Sequence, residues 1–304
     1  EPPMVHRPVC CRRICRASRR FRPFSLPGRS ARGWPRAEGA RAVRRGSRPL
    51  ATAWCGVMGA RHESAGPSAR VVGCCGFPGP LRGYFDHLNG VEYQETFVQP
   101  PRAATLKRLR GRAPDDFTFV VRAWQTITHE PGEPGYGRMT AKLPGAPAQL
   151  GHFRPGDAVA EATRRTVAAA RLLDARVILF ETPPAFSPSA RHRGWMRDYF
   201  ERLERGALQL VWEPRGIWAP REVAAICRDL ELVPSWDPFA ADAEPPEGST
   251  VYAKLRGMGE HRRYGEAQLE WLADVAQQYD QVYCLFASTA AFSEASRLRQ
   301  YLGP

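Results

Sequence analysis

From residue 71 onward the sequence alternates short apolar runs with helical patterns, and this alternation constrains the fold more than any other feature. Eight runs have strand character: Val71–Cys75, Val91–Thr96, Phe117–Trp124, Val177–Glu181, Leu208–Glu213, Leu232–Asp237, Val251–Arg256 and Val282–Ala287. Strands separated by helices pair in parallel, because each crossover returns the chain to the same end of the sheet. Over 157–174, Val159, Ala162, Val167, Ala170 and Leu173 share one side, and 265–279 and 289–302 repeat the pattern. Residues 102–112, 190–205 and 220–231 supply three more helical segments, whereas connections 78–90 and 238–250 have room for a short helix or none. Eight strands in 234 residues predict an α/β fold, a closed (β/α)8 TIM-type barrel over 71–304, somewhat degenerate. The rival is an open doubly wound sheet. It wants a Gly-rich phosphate turn, and Cys74-Cys75-Gly76-Phe77-Pro78-Gly79 lacks the G-x-G-x-x-G spacing.

The net charge of +13 belongs to one end of the chain. Residues 1–70 hold 16 arginines, no lysine and three acids (Glu1, Glu38, Glu63), which leaves 28 basic and 28 acidic residues in 71–304. A neutral barrel has no phosphate-binding footprint, so nucleic acid is not expected as its partner, although the basic end could serve as such an arm. No run of 18 apolar residues exists, so no membrane helix is expected. Residues 1–70 read as a disordered Arg/Pro-rich extension, without apolar periodicity. Three accounts compete for it: a targeting peptide, a basic arm, and upstream sequence read through before Met58 in a GC-rich genome. The third is favoured, because prolines interrupt any amphipathic helix and the chain has only three lysines. The eight cysteines lack paired C-x-x-C spacing, and Cys227 and Cys284 sit in apolar runs, so a reducing cytoplasm is the expected compartment.

In a parallel barrel the site forms where the strands end, and residues i and i+2 share a face. The second run offers Glu92, Gln94 and Thr96; the third offers Arg122 and Trp124, with His129 beyond. Glu181 ends the fourth, Glu213 and Arg215 the fifth, Ser235 and Asp237 the sixth, Lys254 and Arg256 the seventh. Strand interiors are otherwise apolar, so these charges must pair with each other or with a ligand. Glu92, Glu213 and Asp237 are the acid–base candidates, with His129 as proton carrier or orienter. Arg122, Arg215, Lys254 and Arg256, with Trp124, are the substrate-binding candidates, since arginine forks grip carboxylate or phosphate. The competing account is a self-satisfied ring of salt bridges closing the barrel top. No H-x-H or H-E-x-x-H spacing is present and the cations would repel a metal ion, so neither metal nor cofactor is expected. Cys75 is a weak candidate nucleophile, tied to no histidine by any motif. The Gly- and Pro-rich stretch 130–156 follows the third strand, where long loops become lids; a passive insertion is the alternative.

These residues resemble the YecE-like family, domain of unknown function 72. The resemblance rests on Gly73-Cys74-Cys75-Gly76-Phe77, Leu88-Asn89-Gly90-Val91-Glu92-Tyr93-Gln94-Glu95-Thr96-Phe97, Phe117-Thr118-Phe119-Val120-Val121-Arg122-Ala123 and Ile127-Thr128-His129. Further along it rests on Trp212-Glu213-Pro214-Arg215-Gly216-Ile217-Trp218, Asp237 and Lys254-Leu255-Arg256-Gly257. It implies a TIM-type barrel and leaves the activity unassigned. Where the family carries Asn, Ser and Tyr in its second-strand motif, this chain has Gln94, Glu95 and Val98. Arg122 replaces a lysine, Arg256 stands where the family has histidine, and Ala287-Ser288 replaces a pair of asparagines, so this is a diverged branch. The leading expectation is a small-molecule enzyme, a hydrolase or lyase, acting on an anionic or sugar-like substrate. The alternatives are a metal-dependent nucleic-acid-processing barrel enzyme and a non-catalytic ligand-binding protein, and the oligomeric state is left open.

Overall fold

The computed structural model describes residues 69–240, 243–257 and 263–303. The expected basic extension lies outside the described residues, except for Ala69 and Arg70, which open the first strand. Eight strands pair in parallel and in sequence order: β1 (Ala69–Cys75), β2 (Gly90–Tyr93), β3 (Thr118–Arg122), β4 (Val177–Thr182), β5 (Gln209–Pro214), β6 (Val233–Trp236), β7 (Thr250–Leu255) and β8 (Gln281–Phe286). β8 pairs with β1 and closes the barrel. Helices α1 (Leu81–His87), α2 (Glu95–Val98), α3 (Ala103–Arg110), α4 (Gln125–Thr128), α5 (Asp157–Leu172), α6 (Ala190–Arg202), α7 (Pro220–Asp229), α8 (Glu266–Ala276) and α9 (Ala291–Leu302) lie in the connections. None of these is long and apolar enough to cross a membrane. β6 is followed by no helix among the described residues, as the short 238–250 connection requires.

Alternation along the strands builds two apolar layers. Val71, Val120, Val177, Leu179, Val211, Tyr252, Tyr283 and Leu285 fill the lumen. Their neighbours, among them Val72, Val91, Phe119, Ile178 and Trp212, face the helices and join the larger core outside. Cys227 and Cys284 are buried there as free thiols. One contact sets how closely β1 and β2 approach. Gly73 and Gly90 are register partners, and a Cβ at Gly73 would overlap the Gly90 carbonyl. The Tyr84 hydroxyl donates to that carbonyl and accepts from the Cys74 amide, each at 2.7 Å.

Five strands stop short of their expected limits, β7 and β8 by one residue each, at Leu255 and Phe286. β2 stops at Tyr93, because Thr96 Oγ1 donates to the Tyr93 carbonyl and the chain turns into α2. β3 stops at Arg122 and α4 begins three residues later, at Gln125. β6 stops at Trp236, where Asp237 Oδ1 accepts from the Phe239 amide in an Asx turn. The 130–156 connection is tied to neighbouring elements at several points. Gln99 Oε1 accepts from the amides of Thr140 and Ala141 at 2.7 Å, and the Tyr136 hydroxyl donates to the His129 carbonyl at 2.8 Å. At its far end Gly151, His152 and Phe153 donate to the carbonyls of Thr126, Thr128 and Ile127. Gly151 has φ +81°, and a Cβ there would come within 2.6 Å of the His129 carbonyl oxygen.

Candidate functional site

The inward positions at the C-terminal ends of the strands carry charge. Glu92 on β2 has no exposed surface, and it accepts from three donors: Lys254 Nζ at 2.8 Å, Tyr252 Oη at 2.6 Å and Gln94 Nε2 at 2.7 Å. Lys254 on β7 also donates to Glu213 Oε2 on β5 at 2.9 Å. The mouth thus rests on a buried Glu92–Lys254–Glu213 bridge running across the lumen. Burial would raise the pKa of Glu92, but Lys254 and Arg122, with the Lys254 and Tyr252 hydrogen bonds, outweigh it and hold the carboxyl below its ordinary value.

A second tier lies above this bridge. Arg122 donates to Glu181 Oε2 at 2.8 Å and to Gln94 Oε1, and its Nε lies 3.7 Å from Glu92. Arg215 Nε is 3.7 Å from both Glu181 Oε1 and Glu213 Oε1, and Arg256 contacts Glu213 Oε1. Burial pushes Glu181 up, while Arg122, Lys254, Arg215 and Arg256 together pull it below the usual carboxylate range. Side-chain exposure increases through the tier, from 12% for Arg122 and 15% for Glu181 to 28% for Arg256 and 40% for Arg215. Four cations meet three carboxylates, so the cluster carries one net positive charge at neutral pH, most accessible at Arg215 and Arg256.

His129 borders the cluster. Its ring packs edge-on to Phe97 with centroids 5.0 Å apart, and the guanidinium of Arg122 lies 4.1 Å above the same Phe97 ring. The His129 Nδ1 is 2.8 Å from the Thr128 hydroxyl. Burial lowers its pKa to about 4, with Glu181 opposing the shift and Arg122 adding to it, so the imidazole is neutral at pH 7.

Glu92, Arg122, Glu213, Arg215, Lys254 and Arg256 therefore meet as their positions at strand ends predicted. Two expected residues do not. Trp124 is fully buried in the core outside the sheet and donates through Nε1 to the Val98 carbonyl at 3.0 Å. It caps the start of α4, where the chain has already turned, so the i, i+2 parity with Arg122 is lost. Asp237 lies beyond β6 in its Asx turn, and among the described residues no ion pair ties it to the cluster. At Cys75, burial and then Glu92 push the thiol far above its usual range, which disfavours the thiolate form a nucleophile needs.

Glu181, Gln94 and Tyr252 complete the cluster; the first two stand among the polar strand ends of the sequence without an assigned role, and Tyr252 was not singled out. Parity with Lys254 and the strand-end position of Glu181 were the available signals. Among the described residues, no group of three or more His, Cys, Asp or Glu side chains is placed to hold a metal ion.

No curated protein matches the chain. Two structures of a DUF72 family protein from Enterococcus faecalis V583 superpose on it with TM-scores of 0.56 and 0.54, at 12% and 14% identity. Each covers 76% of this chain, and the chain covers 94% and 96% of those proteins. At this identity the likeness concerns the fold alone. A family 2 AP endonuclease from Brucella melitensis superposes with a TM-score of 0.46 and 12% identity, over 74% of this chain and 96% of that one. Residues 78–304 match the family described as protein of unknown function DUF72, and with the YecE-like motifs now placed around one barrel mouth, the chain belongs to that family.

Proposed function

We propose that the barrel mouth binds a small anionic ligand, a carboxylate- or phosphate-bearing metabolite or an acidic sugar, and that the protein is a hydrolase or lyase acting on it. The observation that carries this reading is the surplus of arginine. Arg122 and Arg215 flank the partly exposed carboxylate of Glu181 and Arg256 contacts Glu213, so three arginines stand above a bridge whose net charge is only one negative. An anion arriving at Arg215 and Arg256 completes the charge balance, whereas a divalent metal must first displace guanidinium groups from the carboxylates it would need.

The same geometry redistributes the acid–base roles. Glu92 and Glu213 are fixed anions, each engaged by Lys254, and we assign them the task of holding the cations. Proton transfer falls to Glu181, the most accessible carboxylate of the three, and to His129. In the tautomer whose Nδ1 donates to the Thr128 hydroxyl, Nε2 is the basic nitrogen of a neutral ring.

Melting temperature in the presence of phosphate, sulfate or a dicarboxylate tests the binding step, because a ligand of the folded state raises it. Sulfate also stabilises by exclusion from the surface, so the comparison with Arg256→Ala decides: the expected gain shrinks in the variant. Equal anion effects on both proteins, with stabilisation by micromolar Mn²⁺ or Zn²⁺, would replace this reading with a metal-dependent one.

A further inference from the structure

A groove of about 550 Å³ lies away from the mouth, on the outer wall between α5 and α6. Adjacent barrel helices normally pack with side chains interdigitated, at 8–10 Å between axes. Here α5 turns the short residues Ala160, Thr163 and Val167 toward the gap, leaving it unfilled. Val159, Val167 and Leu203 make its aliphatic lining, and Trp195 and Tyr199 of α6 also line it. From Val159 to Arg171 the groove follows twelve residues of α5, a length of about 18 Å at ~1.5 Å per residue.

Charge is unevenly committed around this channel. Near the start of α5, Arg154 is paired with Glu130 and Arg164 with Glu161, each at 2.8 Å. At the opposite end Arg171 and Arg202 line the groove, and their guanidinium groups take part in none of the ion pairs or side-chain hydrogen bonds among the described residues. Asp198 and Glu204 also line it, so arginines outnumber acids four to two. A long apolar channel ending at two uncommitted guanidinium groups fits an amphipathic monoanion. We infer that the α5–α6 groove is a second binding site, for a straight acyl chain of about a dodecyl length whose carboxylate sits on Arg171 and Arg202. The first 68 residues of this chain are a poor occupant, since their arginines far outnumber their three acids and would meet like charge.

Isothermal titration of the full chain with sodium dodecanoate tests this. The expected result is saturable 1:1 binding that weakens severalfold for octanoate and fails for dodecylammonium. Binding should weaken at least tenfold in Arg171→Glu/Arg202→Glu and be lost in Val167→Trp, which fills the channel. It should be unchanged in Gly79→Ala, outside the groove, and in saturating phosphate, which occupies the mouth. All four substituted positions are partly or fully exposed, so melting temperatures near that of the wild type are expected and serve as the folding control. Absence of saturable binding, equal binding of the cation, or equal binding by the Val167→Trp variant overturns the assignment. A dimer in solution that Val167→Trp converts to monomer also overturns it, because the groove would then be occupied by a second copy.

Discussion

Glu181 and Glu213 are register partners on adjacent parallel strands, so two carboxylates stand side by side at the barrel mouth, and Arg215 Nε lies 3.7 Å from an oxygen of each. Like charges placed opposite each other across a sheet destabilise it unless a cation intervenes. The arginines of the upper tier thus serve two purposes at once, holding this pair together and facing solvent.

That dual role predicts an outcome opposite to the usual loss of function at a site. Glu181→Gln removes the carboxylate that competes for Arg122 and Arg215 and relieves its repulsion of Glu213. Phosphate should then bind about tenfold more tightly by titration calorimetry, a gain of about 1.4 kcal/mol. If Glu181 also transfers protons, any turnover found for the wild type falls in the same variant.

The buried bridge beneath behaves differently. Lys254→Met leaves Glu92 and Glu213 without their shared cation, and breaking a buried pair this way costs about 3–5 kcal/mol. Urea unfolding should show that loss. Adding Glu92→Gln and Glu213→Gln to Lys254→Met should recover a substantial part of it, because the penalty comes from stranded charge rather than from missing attraction.

His129 gives the stability a pH dependence of known sign. Its folded pKa of about 4 lies below the ordinary 6.5, so between those values the unfolded chain binds a proton that the native state does not. Stability therefore rises with pH across the window and levels off above it, by up to about 3 kcal/mol. His152, whose pKa burial also lowers, contributes with the same sign. In His129→Asn the slope between pH 4 and 6.5 should become shallower without vanishing, as measured by denaturation at stepped pH.

Gly73→Ala probes the approach of β1 to β2. The added Cβ meets the Gly90 carbonyl, a backbone atom that cannot move aside without breaking the ladder. A loss of more than about 3 kcal/mol, or failure to fold, is expected. Gly79→Ala, in open space, should change the melting temperature little.

The strand count, the parallel order and the end of the barrel that carries charge were all legible in the residues themselves. Apolar runs separated by helical patterns admit few topologies, and period-two parity survives whatever the curvature, so Glu213 with Arg215 and Lys254 with Arg256 point inward as their spacing demanded. Past the end of a strand, parity depends on the turn that follows. Arg215 and Arg256, one residue beyond β5 and β7, keep it. Trp124 and Asp237 miss the site because they already belong to the turns into α4 and after β6, formed by contacts too local for an apolar pattern to reveal. The choice of Glu181 as the third carboxylate is a tertiary matter. It depends on the β4–β5 register that sets Glu181 beside Glu213 and within reach of Arg122, and register between strands is a property of the closed sheet, not of either strand alone.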